Sequence, residues 1–231
     1  MPEVDCELYK LITLGGTDAL EFLQGQLTQD VSLLAAAGQL PAAWCNPKGR
    51  VVVTIRLVRI DDDIGLIVPA NMADHIVQRL TMYRLRSKVE ISEPSDGWKN
   101  FIAADDSNPV ALIRAGVPTI DSSNTEQFTP HMLNLDKLGY VSFSKGCYTG
   151  QEVVARTENL GKSKRRLMNY EAKEEGIKVG DKLSAGERNV GEVVNVTGCD
   201  LLAVTPVEMH GQSLSAGDVT ITPAADSKSP P

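Results

Sequence analysis

The sequence contains little that would support a disulfide framework or a thiolate metal centre. Its four cysteines, Cys6, Cys45, Cys147 and Cys199, are far apart and form no CxxC pair. A chain of 231 residues with an ordinary apolar fraction does not need disulfides to fold. The three histidines are equally scattered and form neither HxH nor HExxH spacing. These absences argue against a metalloenzyme, and we predict no metal site.

Long apolar runs and net positive charge are also missing. Apolar runs such as Ile64 to Val68 are too short to cross a bilayer, and the first ten residues, MPEVDCELYK, lack the basic and apolar regions of a secretory signal. We therefore expect a cytoplasmic protein without a membrane partner. The net charge of −7 argues against direct nucleic-acid binding by attraction of the whole chain to phosphate.

The first part of the chain interleaves strand and helix patterns. Residues 7–14 read as a strand, and Thr17 is placed to cap the helix that follows. A β-branched run over 51–60 and a second run over 64–68 are separated by an acidic turn, as in an antiparallel meander. The spacing of apolar residues over 71–85 then predicts a helix. Hairpins among helices, without regular βαβ units, indicate the α+β class.

From about Arg165 onward the pattern changes to short apolar pieces between glycine-rich turns. These pieces span 167–170, 190–196, 201–207 and 219–221. Such a pattern is typical of a small all-β barrel or sandwich. We predict an α+β domain over 1–160, a β-barrel over 161–222, and a disordered tail over 223–231.

The segment SFSKGCYTGQE, residues 142–152, is the strongest chemical signal. Residues 139–143 read as a strand and Gln151 as the start of a helix, which puts Cys147 at or just before a helix N-terminus with Lys145 close by. Both features favour a thiolate. A nucleophile, a metal ligand, a redox sensor and a packed core thiol all remain open, because no histidine lies in the segment and His131 is a distant candidate base.

Two further segments each allow both a structural and a functional interpretation. The polar stretch QGQLTQD, residues 24–30, is either a helix end followed by a new cap or a loop that faces a ligand. The basic run over 161–166 is either a solvated face or a docking site for RNA or an acidic partner. A docking module of that kind would bind in a strongly salt-dependent way.

The stretch KGCYTGQE, residues 145–152, resembles the signature of YgfZ-type proteins, which are folate-binding relatives of the glycine cleavage system T-protein, an aminomethyltransferase. Further segments resemble the same family, in the same order: 22–30, 48–50, 85–89, 115–121, 127–130 and 153–156. The resemblance covers most of residues 7–170.

This resemblance implies a T-protein-like fold, with a ferredoxin-like α/β meander followed by a small C-terminal β-barrel. It also implies tetrahydrofolate as the cofactor, bound in a central cavity, and a role in assembling or repairing iron–sulfur clusters, including those of tRNA-modifying enzymes. The partners would be folate and iron–sulfur proteins or assembly factors. The implied site residues are Cys147 and Lys145 for the chemistry, and Tyr9, Gln24, Arg114, Tyr148, Gln151 and Glu152 around the cofactor.

The chain departs from the family pattern in two places. It is short around residues 93–110, where a central subdomain would lie. Arg114 stands where T-proteins and some YgfZ-type members have an acidic residue that would hydrogen-bond the pterin, and arginine has no acceptor to offer. Arg114 would pair instead with the glutamate tail of the folate.

Whether the protein is an enzyme stays open at this stage. The alternative function is that of a tetrahydrofolate-dependent aminomethyltransferase, which needs a carboxylate near the folate nitrogens. Asp74 is the nearest candidate by its place in the sequence. A thiol redox sensor at Cys147 without folate is a further alternative.

Overall fold

A computed structural model describes residues 8–161 and 163–224 of the chain. Its N-terminal part contains an antiparallel sheet that pairs in the order β2-β3-β4-β1-β5. The strands are β1 (Tyr9–Gly15), β2 (Gln39–Cys45), β3 (Val51–Ile60), β4 (Asp63–Pro69) and β5 (Glu90–Ile91). The β-branched run predicted as a strand forms β3 at the centre of the meander, where its side chains are buried on both faces.

Two helices cover one face of this sheet. They are α1 (Ala19–Gln26) and α3 (Ala73–Arg84), and a short helix, α2 (Leu34–Ala37), lies between them in the chain. Phe22, Leu23 and Ile76 pack from the long helices onto the sheet in a shared apolar core. The residue that caps α1 is Asp18, one later than the predicted Thr17, and its carboxylate accepts a hydrogen bond from the backbone of Lys88.

The crossing around residues 93–110 covers the other face of the sheet. It contains two short helices, α4 (Ala104–Ser107) and α5 (Pro109–Arg114). Trp98 and Ile102 pack with Leu11, Val58 and Ile67 of the sheet in a second core. The indole of Trp98 also contacts the ring of Tyr9 edge-on. The short crossing therefore fills the face of the sheet with its own aromatic side chains.

The prediction of a strand over 139–143 was wrong, and residues 131–138 before it form no regular helix. Both stretches are loops and turns in the structure. The backbone of residues 139–142 bonds to Thr28 and Gln29, so it makes no ladder with a strand. Asn134 has a left-handed φ of 57°, which interrupts a helix within 131–138.

The last part of the chain is a closed β-barrel that follows helix α6 (Gln151–Leu160). Its strands are β6 (Arg165–Ala172), β7 (Lys182–Ala185), β8 (Arg188–Thr197), β9 (Asp200–Pro206), β10 (Leu214–Ala216) and β11 (Val219–Pro223). The predicted α+β class with a C-terminal barrel is confirmed. Pro223, predicted to begin the tail, belongs to β11 and pairs with Tyr170, while residues 225–231 lie outside the described part of the chain.

A third core joins the sheet, the loops over 115–143 and the barrel. Its members include Cys45, Phe128, Leu135, Val154 and Val204, which come from β2, two loops, α6 and β9. This core fixes the orientation of α6, and so of the segment before it. In the described residues, no helix has the length and apolar character needed to cross a membrane.

Candidate functional site

The segment over 144–150, here called the motif loop, is anchored by the ammonium group of Lys145. Its Nζ atom donates hydrogen bonds to the carbonyl oxygens of Gln24 (2.7 Å), Leu27 (2.7 Å) and Gln29 (2.9 Å). An ammonium group has three donors, so all of them are used. The polar stretch over 24–30 therefore binds the Lys145 ammonium group through its carbonyl oxygens, at the C-terminal end of α1 and just after it.

Burial lowers the pKa of Lys145 to about 8, and the nearby Asp30 carboxylate opposes this shift. Tyr148 is buried next to it, and the Lys145 Nζ atom lies 5.3 Å from the centre of the Tyr148 ring. Burial raises the pKa of the Tyr148 phenol, so the ring stays neutral at physiological pH. The two side chains on either side of Cys147 are thus both fixed in the interior.

Gly150 seats the end of the motif loop on the turn over 46–50. Its φ is +84°, and an added Cβ atom would lie 2.4 Å from the carbonyl oxygen of Asn46. Gly49 makes the matching approach from the turn, because a Cβ atom there would lie 2.8 Å from Val153. Glycine is needed at both positions for the segments to touch.

Between these anchors, Cys147 is exposed to solvent. Most unpaired cysteines are buried, so an exposed thiol on a well-anchored loop is unusual. Cys45 shows the ordinary case: it is 1% exposed, and burial raises the pKa of its thiol to about 12. Cys199 has intermediate exposure, and Cys6 lies outside the described residues.

The thiolate-stabilising role predicted for Lys145 stays a prediction, and the geometry gives this residue a structural role as well. Its three donors point to carbonyl oxygens of the 24–30 stretch, and helix α6 begins only at Gln151, with Gly150 as its capping residue. Lys145 therefore positions Cys147 through the backbone, and its donors are committed elsewhere.

Three other predicted site residues lie around the same loop. The amide of Gln24 donates to Asp30 and accepts from the backbone of Val31, so its side chain is committed to the fold. Gln151 accepts from the backbone of Tyr148 across the start of α6. Glu152 is exposed and lines a shallow groove along α6 with Val153 and Arg156. Gln151 and Glu152 are thus the first two residues of α6, directly after the motif loop.

Tyr9 lies in a different place, in a cleft between the sheet, α5 and the barrel. The cleft has a volume of about 290 Å³. Its walls come from β1 and the end of β4, from α5, from the 117–121 loop and from β8. Apolar side chains such as Leu112 and Ile113 dominate, with Tyr9 and Asp121 among the polar residues. A mostly apolar cleft with few polar groups is the usual form of a small-molecule site.

The pKa of the Tyr9 phenol depends on burial and on the charges around this cleft. Burial raises its pKa, a hydrogen bond with Thr119 and the charge of Arg56 oppose that shift, and the Asp121 carboxylate adds to it. Arg56 lines a narrower extension of the cleft, together with Tyr140. A carboxylate and a guanidinium thus lie near the same aromatic ring.

Arg114, predicted to contact folate, lies apart from both regions. Its guanidinium binds Asp200 of β9 through Nε (3.2 Å) and Nη2 (3.0 Å), and its side chain is 69% exposed. Three other residues of α5, Pro109, Leu112 and Ile113, line the cleft, whereas Arg114 is not among the lining residues in the described part of the chain. The local sequence did not single out Asp121, although it lies in one of the family-like segments.

The two arginines of the basic run and His131 have structural partners. Arg166 binds the Asp136 carboxylate at 2.6 Å and the carbonyl oxygen of His131 at 2.9 Å, and Arg165 donates to Val190. His131 is buried and its Nε2 atom lies 2.9 Å from a carboxylate oxygen of Glu158. His131, Asp136 and Glu158 are close enough to hold a cation, but the guanidinium of Arg166 already neutralises Asp136.

Comparison with known proteins places this chain in a family. A tRNA-modifying protein YgfZ from Klebsiella pneumoniae is 32% identical over 222 residues, which cover 69% of this chain and 68% of that protein. The protein of the same name from Hamiltonella defensa is 30% identical over 84% of this chain and 76% of its own length. No model of a protein family matches the chain. The chain belongs to the family of tRNA-modifying protein YgfZ.

The fold comparison gives an independent match. The glycine cleavage system aminomethyltransferase T from Bartonella henselae superposes with a TM-score of 0.73, covering 95% of this chain and 84% of that protein, at 14% identity. The predicted T-protein-like fold is therefore confirmed. At this identity the match describes the fold alone.

Proposed function

We propose that this protein is a tetrahydrofolate-binding accessory factor for the assembly or repair of iron–sulfur clusters, and that it acts through the thiol of Cys147. Its clients would include the cluster enzymes that modify tRNA, in keeping with the name of its relatives. In this proposal the motif loop carries the reactive thiol, and the Tyr9 cleft binds the folate.

The exposure of Cys147 between two buried anchors carries the proposal. Lys145 and Tyr148 hold the loop from both sides, while the thiol faces solvent. A thiol that must meet iron, sulfide or a partner's thiolate has to be accessible and well positioned. Such a contact requires no general base. This agrees with the structure, in which His131, the candidate base, is already bound to Glu158.

The test is complementation of a strain that lacks its own family member. We expect wild-type protein to restore the activity of a tRNA-modifying iron–sulfur enzyme, and Cys147→Ala to restore none. Cys199→Ala is the matched control, because that thiol is less exposed and lies at the β8–β9 turn of the barrel. Full restoration by Cys147→Ala, with equal protein levels, would refute the proposed role of the thiol.

The Tyr9 cleft supports the folate part of the proposal. An aromatic ring, apolar walls and one carboxylate suit a flat heteroaromatic ligand with polar edges. Trp98 touches Tyr9, so its fluorescence should change when tetrahydrofolate enters. We expect saturable quenching in wild type and its loss in Tyr9→Ala, with Trp44→Phe used to remove the signal of the other tryptophan.

A tetrahydrofolate-dependent aminomethyltransferase is the second candidate, and the Asp121 carboxylate in the cleft favours it. Asp74, the residue suggested by sequence position, is exposed in the first turn of α3 and does not line the cleft in the described residues. Turnover of an aminomethyl donor with tetrahydrofolate, retained in Cys147→Ala, would select this function over the accessory role.

A further inference from the structure

The Tyr9 cleft contains a carboxylate whose partners leave one oxygen largely uncommitted. The Oδ1 atom of Asp121 accepts from the backbone N–H (2.8 Å) and the hydroxyl (2.6 Å) of Ser123. The Oδ2 atom receives only a long contact, 3.4 Å, from the side-chain amide of Asn71. Each carboxylate oxygen accepts about two hydrogen bonds, so Oδ2 retains acceptor capacity.

Asn195, another polar residue of the cleft, has less free hydrogen-bonding capacity than Asp121. Asn195 uses its amide in both directions, accepting from the backbone N–H of Thr119 (3.0 Å) and donating to its carbonyl (2.8 Å). This pair holds the 117–121 loop against the barrel and so fixes the base from which Asp121 projects. In the described part of the chain, Asp121 is the one carboxylate that lines the main part of the cleft, whereas Asp106 lines the narrower extension, where it pairs with Arg56 at 4.0 Å.

Arg114 cannot take the role of an acceptor in this cleft. Its guanidinium is a donor only, it binds Asp200 of the barrel strand β9, and Arg114 is not among the lining residues in the described part of the chain. A ligand whose ring edge carries N–H and amino groups needs an acceptor, and Asp121 supplies one beside Tyr9.

We propose that Asp121 is the specificity-determining residue of the cleft: its carboxylate accepts hydrogen bonds from the ring N–H and amino group of the folate, against the Tyr9 side chain, while Arg114 takes no part. This inference rests on the proposed folate binding. Charge-assisted hydrogen bonds of this kind contribute enough that their loss weakens binding by about 10- to 100-fold.

The experiment is calorimetric titration of the full chain with 5-formyltetrahydrofolate. We expect wild type to bind, Asp121→Asn to bind about 10- to 100-fold more weakly, and Arg114→Ala to stay within about twofold of wild type. The tail fragment p-aminobenzoylglutamate should bind wild type and Asp121→Asn equally, because it lacks the ring edge.

Ser123→Ala separates ligand recognition from a purely structural role of Asp121. It removes the hydroxyl bond that helps to position the carboxylate but keeps the carboxylate itself, so its affinity should remain near that of wild type. Equal affinity of wild type and Asp121→Asn, or an equal loss in Ser123→Ala, would overturn the inference and leave folate binding intact. Absence of binding to wild type at millimolar ligand would overturn both.

Discussion

The Nζ atom of Lys145 lies 2.7 Å from the carbonyl oxygen of Leu27, a residue 118 positions earlier in the chain. This bond ties the motif loop to the end of α1, and the bonds to Gln24 and Gln29 complete the connection. Two family-like segments that are distant in sequence thus form one structural unit. The position of Cys147 depends on that unit.

Replacing Lys145 with methionine should destabilise the protein strongly. The change leaves three carbonyl oxygens without their donor in the interior, and such losses cost about 2–5 kcal/mol. Urea unfolding measures the loss, and alkylation of Cys147 in the native protein should become faster as the loop loosens. Lys48→Met, at an exposed turn position, is the control and should stay within about 0.5 kcal/mol of wild type. A similar stability for both variants would contradict the anchoring role.

The contribution of Lys145 to stability should also depend on pH. Its pKa is about 8 in the folded protein, below the value of about 10.4 for an unfolded chain, so the unfolded state binds more protons between these values. The free energy of unfolding of wild type, relative to Lys145→Met, should therefore rise from pH 8 to about pH 10.4 and be flat below pH 7. Urea titrations of both proteins across this range measure the difference. A difference that falls with pH would mean that the ammonium is held more firmly than burial alone allows.

The fold was predictable because its signals are local. The β-branched run of β3, the acidic turn before β4 and the glycine-rich turns of the barrel each specify their own element. The strand predicted over 139–143 failed for the opposite reason. Its hydrogen-bonding groups are taken by Thr28 and Gln29, more than 100 residues away, and no pattern within the segment contains that information.

The candidate site was predictable only in part. The sequence left open whether Cys147 is accessible or packed in the core, and the structure exposes it. The partners of Lys145 and the gathering of Tyr9, Asn71 and Asp121 in one cleft depend on how separate elements meet. Arg114 was placed near folate from its position in the family pattern, but its side chain turns towards the barrel.

The buried ion pair between Arg166 and Asp136 should contribute more to stability than any exposed pair. Both side chains are largely buried, at 13% and 8% exposure, and removing one partner leaves an unpaired charge inside. Asp136→Ala should cost about 3–5 kcal/mol, measured by urea unfolding. The pair Lys10–Asp96 is the control because its aspartate is 60% exposed, and Asp96→Ala should cost no more than about 1 kcal/mol. Equal losses would show that the Arg166 pair is screened as a surface pair is.

Alanine at Gly150 should displace the motif loop, whereas alanine at Gly146 should be tolerated. The new Cβ atom at Gly150 would lie 2.4 Å from the carbonyl oxygen of Asn46, on a backbone with a φ of +84°, whereas at Gly146 it would meet no atom within 4 Å. We expect Gly150→Ala to lower the free energy of unfolding by about 1–3 kcal/mol. Complementation by this variant should fall as well. Gly146→Ala should change stability by less than about 1 kcal/mol, since only the flexibility of the unfolded chain is affected. Thermal unfolding and complementation of the two variants side by side measure this contrast. Equal stability and equal complementation of the two variants would mean that the contact of Gly150 with the 46–50 turn does not position Cys147.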